Sequence, residues 1–357
     1  MWPTQFVQAV APNRWSERSI ISRLLAILGI AGLLLAAGIA TWLSIRGGQP
    51  ATPTRYATAQ PAPGAAWTWD GSRYTLVSAP GGGPSSNNAD MAYDRTHGVI
   101  VLWDHGCASL VMGFQGGCVA SVDRTWTWDG MSWTGYSTKA NPTAAGQGAM
   151  LFDSRLGQVV YVNGMGQAWS WTGSSWVGLL MQGSPSVQRN VGSALSTFAV
   201  GYDEAHDALI YVFSTGTWSW DGVKWTAMGG GIDAGEARAD AHVVYDRAHA
   251  QLLYVGSRYT WTWEAGRWQH HDQPAISEGA LAYDPARGNV ILVQQDTSAC
   301  DRTACRTATW TWDSSAWTRL SNEQEAPLFQ LTRSGAFPPP IASDEAHRVA
   351  FLFISAS

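Results

Sequence analysis

The sequence predicts an all-β fold: a six-bladed β-propeller of four-stranded blades, its sixth blade shared between the two ends of the domain, behind one N-terminal transmembrane helix. Three observations carry this. The octapeptide Trp126-Thr127-Trp128-Asp129-Gly130-Met131-Ser132-Trp133 recurs in near-copies at 67–74, 169–176, 218–225, 261–268 and 310–317. Upstream of most copies lies a second signature, a short strand ending in an aromatic-Asp pair, a turn, and a second apolar strand, as in Met91-Ala92-Tyr93-Asp94 before Val99-Ile100-Val101-Leu102. Finally, residues 24–45 run without a charged side chain.

The octapeptide copies hold 17 of the 21 tryptophans, three in each of five copies and two in the first. Tryptophan richness therefore reflects architecture. Trp, Thr and Trp favour strands, and indoles two residues apart share one face. Asp-Gly predicts a two-residue hairpin turn, since Gly takes a positive φ without steric cost. A lone hairpin is unstable in water, so each copy must join a larger sheet. The second signature supplies strands A and B, and the Trp hairpin supplies strands C and D. Four-stranded repeats of this length predict propeller blades. The chain opens the series with C and D alone, at 67–77, and closes it with A and B alone, at 341–354. Pairing the halves completes a sixth blade and leaves no partial sheet at the seam.

Residues 1–23 carry Arg14, Arg18 and Arg23. At about 1.5 Å per residue, 24–45 spans a hydrocarbon core of roughly 30 Å. It is longer than a signal-peptide core and apolar on every side, which predicts an uncleaved anchor. The preceding arginines place the N-terminus in the cytoplasm and the propeller outside. Residues 46–66, with Pro50, Pro53, Pro61 and Pro63, read as an extended tether. Residues 67–357 form the propeller. With a net charge of −5 and no run of Lys or Arg, nucleic acid is excluded as a natural partner.

All four cysteines follow the span, in two close pairs at matching B–C positions. They predict bridges Cys107–Cys118 and Cys300–Cys305 in an oxidising compartment.

The repeats resemble bacterial kelch-type propellers, similar to the central domain of galactose oxidase. The resemblance rests on the aromatic-Asp strand, the hydrophobic strand and Thr-Trp-x-Trp-Asp-Gly-x-x-Trp, and covers about residues 67–357. Kelch blades carry Gly-Gly after strand B; here those positions read Trp103-Asp104, Asn163-Gly164, Phe213-Ser214, Gly256-Ser257 and Gln294-Gln295. Copper chemistry of the oxidase type needs a convergent His pair and a crosslinked Tyr–Cys. No such set is present, so the resemblance implies no oxidase activity, cofactor or metal.

In an up-and-down blade the A–B and C–D turns share one face of the disc, here uniformly short. The long, variable B–C and D–A connections share the other, where binding surfaces usually sit. Five residues before each strand-A aromatic position stand Asn88, Gln147, Thr197, Asp240 and Glu278, with His242 close by. They are the candidate ligand-binding set, a polar ring at the long-loop mouth, with Asp240 and Glu278 of neighbouring blades able to hold a ligand or cation, although ordinary polar capping of a solvated channel is the simpler account of them. His97, His206, His249 and His347 each follow the repeat Asp by three residues and read as turn components. His270 and His271 are neighbours on strand D and point to opposite faces. Trp103 lies outside the hairpins and reads as core. The functional expectation is a membrane-anchored, extracytoplasmic binding module for a protein or glycan. The alternatives are an enzyme with its site at the channel mouth, or a structural cell-envelope protein. No nucleophile–base–orienter set is visible.

Overall fold

The computed structural model describes residues 66–77, 82–84, 89–105, 107–110, 118–121, 123–138, 140–143, 148–182, 199–233, 236, 243–274, 276, 279–300, 304–320, 329–330 and 339–353. The expected cytoplasmic segment and membrane span, and the tether up to residue 65, lie outside these. Among the described residues no helix is long and apolar enough to cross a membrane.

Six antiparallel four-stranded sheets follow one another, each ordered A-B-C-D. Blade 1 is Ala89–Asp94, Val99–Asp104, Arg124–Trp128 and Trp133–Tyr136. Blade 2 is Gly148–Asp153, Gln158–Asn163, Ala168–Trp171 and Trp176–Leu179. Blade 3 is Ala199–Asp203, Ala208–Phe213, Gly216–Trp220 and Trp225–Gly229. Blade 4 is Val243–Asp246, Gln251–Val255, Tyr259–Glu264 and Arg267–Asp272. Blade 5 is Gly279–Asp284, Asn289–Cys300, Ala304–Trp312 and Trp317–Arg319, with Phe329–Gln330 added beside its third strand. Blade 6 takes Ile341–Asp344 and Val349–Phe353 from the end of the chain, and Ala66–Trp69 and Tyr74–Val77 from the start. Ala66 pairs with Phe353 and Trp69 with Ala350, so the predicted shared blade closes the ring, beginning one residue earlier than expected. The A strands touch their neighbours all the way round and are innermost.

The repeat sequence explains the packing. Strand B is apolar on both faces because it lies between two blades; Ile100 to Trp103, Val159 to Val162 and Phe351 to Phe353 are all buried. The repeat Asp is buried in every blade. Its Oδ1 accepts backbone N–H groups of the A–B turn, as at Asp94 from Thr96 (2.9 Å) and His97 (3.1 Å). The residue four after it is left-handed in all six blades: Gly98, Gly157, Asp207, Ala250, Gly288 and Arg348, with φ of 51–73°. The turn histidines are what the sequence implied. Each Nδ1 of His97, His206, His249 and His347 lies 2.7–2.8 Å from Oδ2 of its own repeat Asp.

The Trp hairpin differs from its expected form. Trp128 pairs with Trp133, so the connection has four residues rather than two. The Asp side chain, not a tight backbone turn, organises it. Asp129 Oδ1 accepts from Met131 and Ser132 at 2.8 and 2.7 Å, and Asp70, Asp221 and Asp313 do the same in their blades. Gly130 has φ +96°, and a Cβ there would lie 2.7 Å from the ring of His347 in the preceding blade. Only blade 4 makes a two-residue turn, between Glu264 and Arg267 with Ala265 and Gly266 both at positive φ.

A further repeat contact was not foreseen. The Trp opening strand D donates its indole N–H to the threonine before the Trp pair of the preceding blade. The contacts are Trp176 to Thr125 (2.8 Å), Trp268 to Thr217 (2.8 Å) and Trp317 to Thr260 (2.7 Å). Tyr74 makes the same contact with Thr309 at 2.6 Å. In blade 2 that threonine is Ala168, and Trp225 Nε1 of blade 3 finds no partner among the described residues.

Candidate functional site

All six predicted ligand-binding residues, Asn88, Gln147, Thr197, Asp240, His242 and Glu278, lie outside the described residues. In the chain, Asn88, Gln147, His242 and Glu278 stand one residue, Thr197 two and Asp240 three before the start of a described A strand. The Cys300–Cys305 bridge is formed, joining directly opposed residues at the tip of the blade 5 B–C hairpin. Cys107 and Cys118 sit in paired strands, Cys107–Leu110 and Cys118–Ser121, but their side chains lie outside the described set. His270 and His271 do face apart. His270 packs on Tyr259 and Trp261, while His271 meets Thr262 Oγ1 at 2.8 Å and the ring of Trp312.

The two faces of the disc are chemically distinct. On the short-turn face the residue after each repeat Asp reads Arg95, Ser154, Glu204, Arg247, Pro285 and Glu345. Four of these form a closed ring of ion pairs. Arg95 reaches Glu345 (2.8 Å) and Glu204 (2.5 Å), and Arg247 reaches Glu204 (2.8 Å) and Glu345 (2.6 Å). Blades 1 and 3 are not neighbours in a ring of six, nor are blades 4 and 6. Side chains that join them must cross the central opening. The guanidiniums of Arg95 and Arg247 also lie over the rings of Phe152 and Tyr283, one blade further on. Burial among these groups raises the Glu204 carboxyl above its ordinary range, against the attraction of Arg95. The quartet therefore closes the channel at the short-turn mouth. A comparison of the six A–B turns position by position shows the four charges in the sequence, but not which of them meet.

On the long-loop face, blade 1 departs from its siblings. Four residues before the repeat Asp, blades 2, 3, 5 and 6 have Ala149, Ala199, Ala280 and Pro340, while blade 4 has His242 and blade 1 has Asp90. After strand B the others carry Gly164, Ser214, Ser257, Gln295 and Ser355, while blade 1 carries His105. The structure brings these two departures together, with His105 Nε2 2.8 Å from Asp90 Oδ2. The imidazole packs on Trp103 at 4.4 Å between centroids, and Trp103 Nε1 donates to Asp123 Oδ1 at 2.8 Å. Trp103 is core, as expected, and sets its edge against Tyr161 of blade 2. The Tyr161 hydroxyl is fully buried, lies in the field of the Asp90 carboxylate, and has no hydrogen-bond partner among the described residues. The tyrosines at the same strand-B position in blades 3 and 4 are satisfied: Tyr211 donates to Asn163 O (3.3 Å) and Tyr254 to Glu236 O (2.9 Å). The sequence-predicted set includes His242, which stands at the Asp90 position of blade 4, but neither Asp90, two residues after Asn88, nor His105.

No family model matches this chain, and no curated protein matches it. Solved structures do resemble it. A fungal lectin from Aleuria aurantia, a six-bladed β-propeller with its own mode of fucose recognition, aligns with TM-score 0.42 and 11% identity over 71% of this chain and 85% of that one. A protein of unknown function from Bacteroides thetaiotaomicron aligns with TM-score 0.42 and 10% identity, over 75% and 72%. A chain of a nidogen/laminin complex aligns with TM-score 0.43 and 9% identity, over 74% and 96%. The six-bladed fold itself is read from this chain's own hydrogen-bonded sheets.

Proposed function

We propose that this chain is a membrane-anchored, extracytoplasmic propeller of the kelch type that works by binding a protein or glycan on its long-loop face. One observation carries the reading. Two ionisable side chains at positions that most blades fill with uncharged residues, Asp90 and His105, meet at the long-loop end of blade 1, while the opposite mouth is spanned by its own Arg–Glu ring. Three blades fold with alanine at the first place and three with serine at the second, so the fold does not require a carboxylate and an imidazole there. The charge-free stretch 24–45 and the proline-rich tether support the placement. The Cys300–Cys305 bridge, on the same face, supports an oxidising compartment.

Two measurements test it. External protease added to intact cells is expected to cut within 46–66 and release the propeller; intact chain in the soluble fraction refutes the anchor. Glutamate at Met131 and Val223, both exposed on short C–D turns, is expected to leave partner binding unchanged. Loss of binding in those variants would put the partner on the wrong face.

A further inference from the structure

We propose that the outer edge of blade 2, residues 176–180, takes an added β-strand from another protein: an extended, uncharged segment held through its main chain. The surface lies on the rim of the disc and goes beyond the reading of the long-loop face.

The direction of the backbone groups follows from the hairpin register. Thr172 N donates to Ser175 O at 2.9 Å, so these two form a hydrogen-bonded pair, and the pairs alternate from there. Val177 and Leu179 therefore turn their N–H and C=O groups toward strand C, while Trp176, Gly178 and Leu180 turn theirs outward. Blade 3 bears this direction out. Its Asp221 N donates to Lys224 O at 3.3 Å, and the next residue, Trp225, donates outward to Gln182 O at 3.2 Å. Trp225 is the counterpart of Trp176, and Gln182 bridges Lys224 in parallel. The ring thus already seats extended chain on the equivalent edge of blade 3. In blade 5, Phe329–Gln330 likewise pairs with Ala304 and Cys305 past the end of strand D. On blade 2 the N–H groups of Trp176, Gly178 and Leu180 have no backbone acceptor among the described residues.

Other edges are guarded in the ways sheets usually are. Strand D of blade 4 carries Arg267 and Asp272, and that of blade 6 follows Arg73. In blade 1 the Trp126 ring leans over Gly135, where a Cβ would meet it at 3.0 Å. A Cβ at Gly178 would lie 3.9 Å from Trp169, so the space over this glycine is open. Residues 168–182 carry no charge, and Val177 and Leu180 are 50% and 90% exposed on opposite faces of the strand. These features define the occupant. Its main chain meets the outward groups, and its side chains lie beside Val177 and Leu180. A large side chain opposite Gly178 fills the glycine's space against Trp169. A charged strand would lose hydration here with no counter-charge to meet.

The probe is a capped, fluorescently labelled peptide, Thr-Val-Thr-Phe-Thr-Val-Thr, titrated into the full chain in detergent by fluorescence polarisation. One derivative is N-methylated on its Val and Phe amides, and another on its Thr amides. In a strand the Val and Phe residues share one face and one edge, so with Phe opposite Gly178 their amides meet the outward groups of the chain. The unmodified and Thr-methylated peptides are expected to bind alike, and the Val/Phe-methylated peptide about tenfold or more weakly. Gly178→Pro removes an outward donor and no hydrogen bond of the blade, and Leu180→Glu sets a charge at the edge. Each is expected to weaken binding about tenfold or more, with the melting temperature of wild type. Unaltered affinity in both variants, equal affinity for the two methylated peptides, or a wild-type chain that binds none of the peptides overturns the proposal. A wild-type chain that sediments as a dimer, and as a monomer after Gly178→Pro, overturns the choice of occupant, since the edge then pairs with a second copy.

Discussion

The indole-to-threonine contact between blades makes opposite predictions at two equivalent places. At the blade 1–2 seam, Thr125 Oγ1 accepts from Trp176 Nε1 at 2.8 Å, with Thr125 fully buried. Thr125→Val keeps the shape and removes the acceptor. Trp176 Nε1 then stays buried without a partner, which costs about 1–3 kcal/mol. For a domain of this size that lowers Tm by about 2–4 °C per kcal/mol. At the blade 2–3 seam the acceptor is already missing, because Ala168 stands in its place and Trp225 Nε1 is unmet among the described residues. Ala168→Thr restores the contact that four other seams have, and is expected to stabilise by about 0.5–1.5 kcal/mol. Thermal and urea unfolding of the two variants and wild type, with unchanged m-values, reads both effects. If Thr125→Val melts with wild type, or if Ala168→Thr loses stability as much as Thr125→Val does, the seam contact is not what the geometry implies.

Deleting 341–357 strips strands A and B from blade 6 and leaves one edge of Ala66–Trp69 unpaired along its whole length. The lost Phe351, Leu352 and Phe353 are fully buried and worth about 1.5–3 kcal/mol each, against a net domain stability of about 5–15 kcal/mol. The truncated chain is expected to aggregate or lose cooperative unfolding, and a monomer with unchanged Tm would refute ring closure. Glu204→Lys places a third cation in the channel-closing quartet and is expected to cost about 1–3 kcal/mol, discounted because each member remains about a quarter exposed. Adding Arg95→Glu restores two charges of each sign but still sets like charges together at two of the four contacts, so the double variant should recover only a minor part of the loss, as a double-mutant cycle would show. Ala250→Gly relieves a left-handed residue (φ 51°) and is expected to raise stability by about 1 kcal/mol in urea unfolding. Asp129 and Asp313 are held below the ordinary carboxylate range by backbone N–H donors, chiefly from Ser132 and Ser315. A lowered folded pKa gives stability that is present above the unfolded value of about 4 and lost as pH falls through the lowered one. The melting temperature of Asp129→Ala should therefore approach that of wild type as the pH is taken below about 3, and a constant gap would refute the assignment.

The blade count, the order of strands and the shared sixth blade were legible in the sequence because each is a local, repeated property. Two indoles two apart mark one strand face, an apolar run of five or six marks a strand buried on both sides, and the order of half-copies dictates which ends must meet. The turn histidines were legible for the same reason, since His97, His206, His249 and His347 stand at one offset from one aspartate. The two-residue Asp-Gly turn was misread because side-chain acceptance by the Asp competes with a tight backbone turn, at Asp129 as at Asp70, Asp221 and Asp313. What only the tertiary structure decided are contacts between residues far apart in the chain. Nothing local says that Arg95 reaches Glu204 across the opening, that Trp176 finds Thr125, or that Asp90 turns toward His105 with Tyr161 behind it. Those partners are chosen by the curvature of a closed ring, which brings together side chains that the linear repeat only lists.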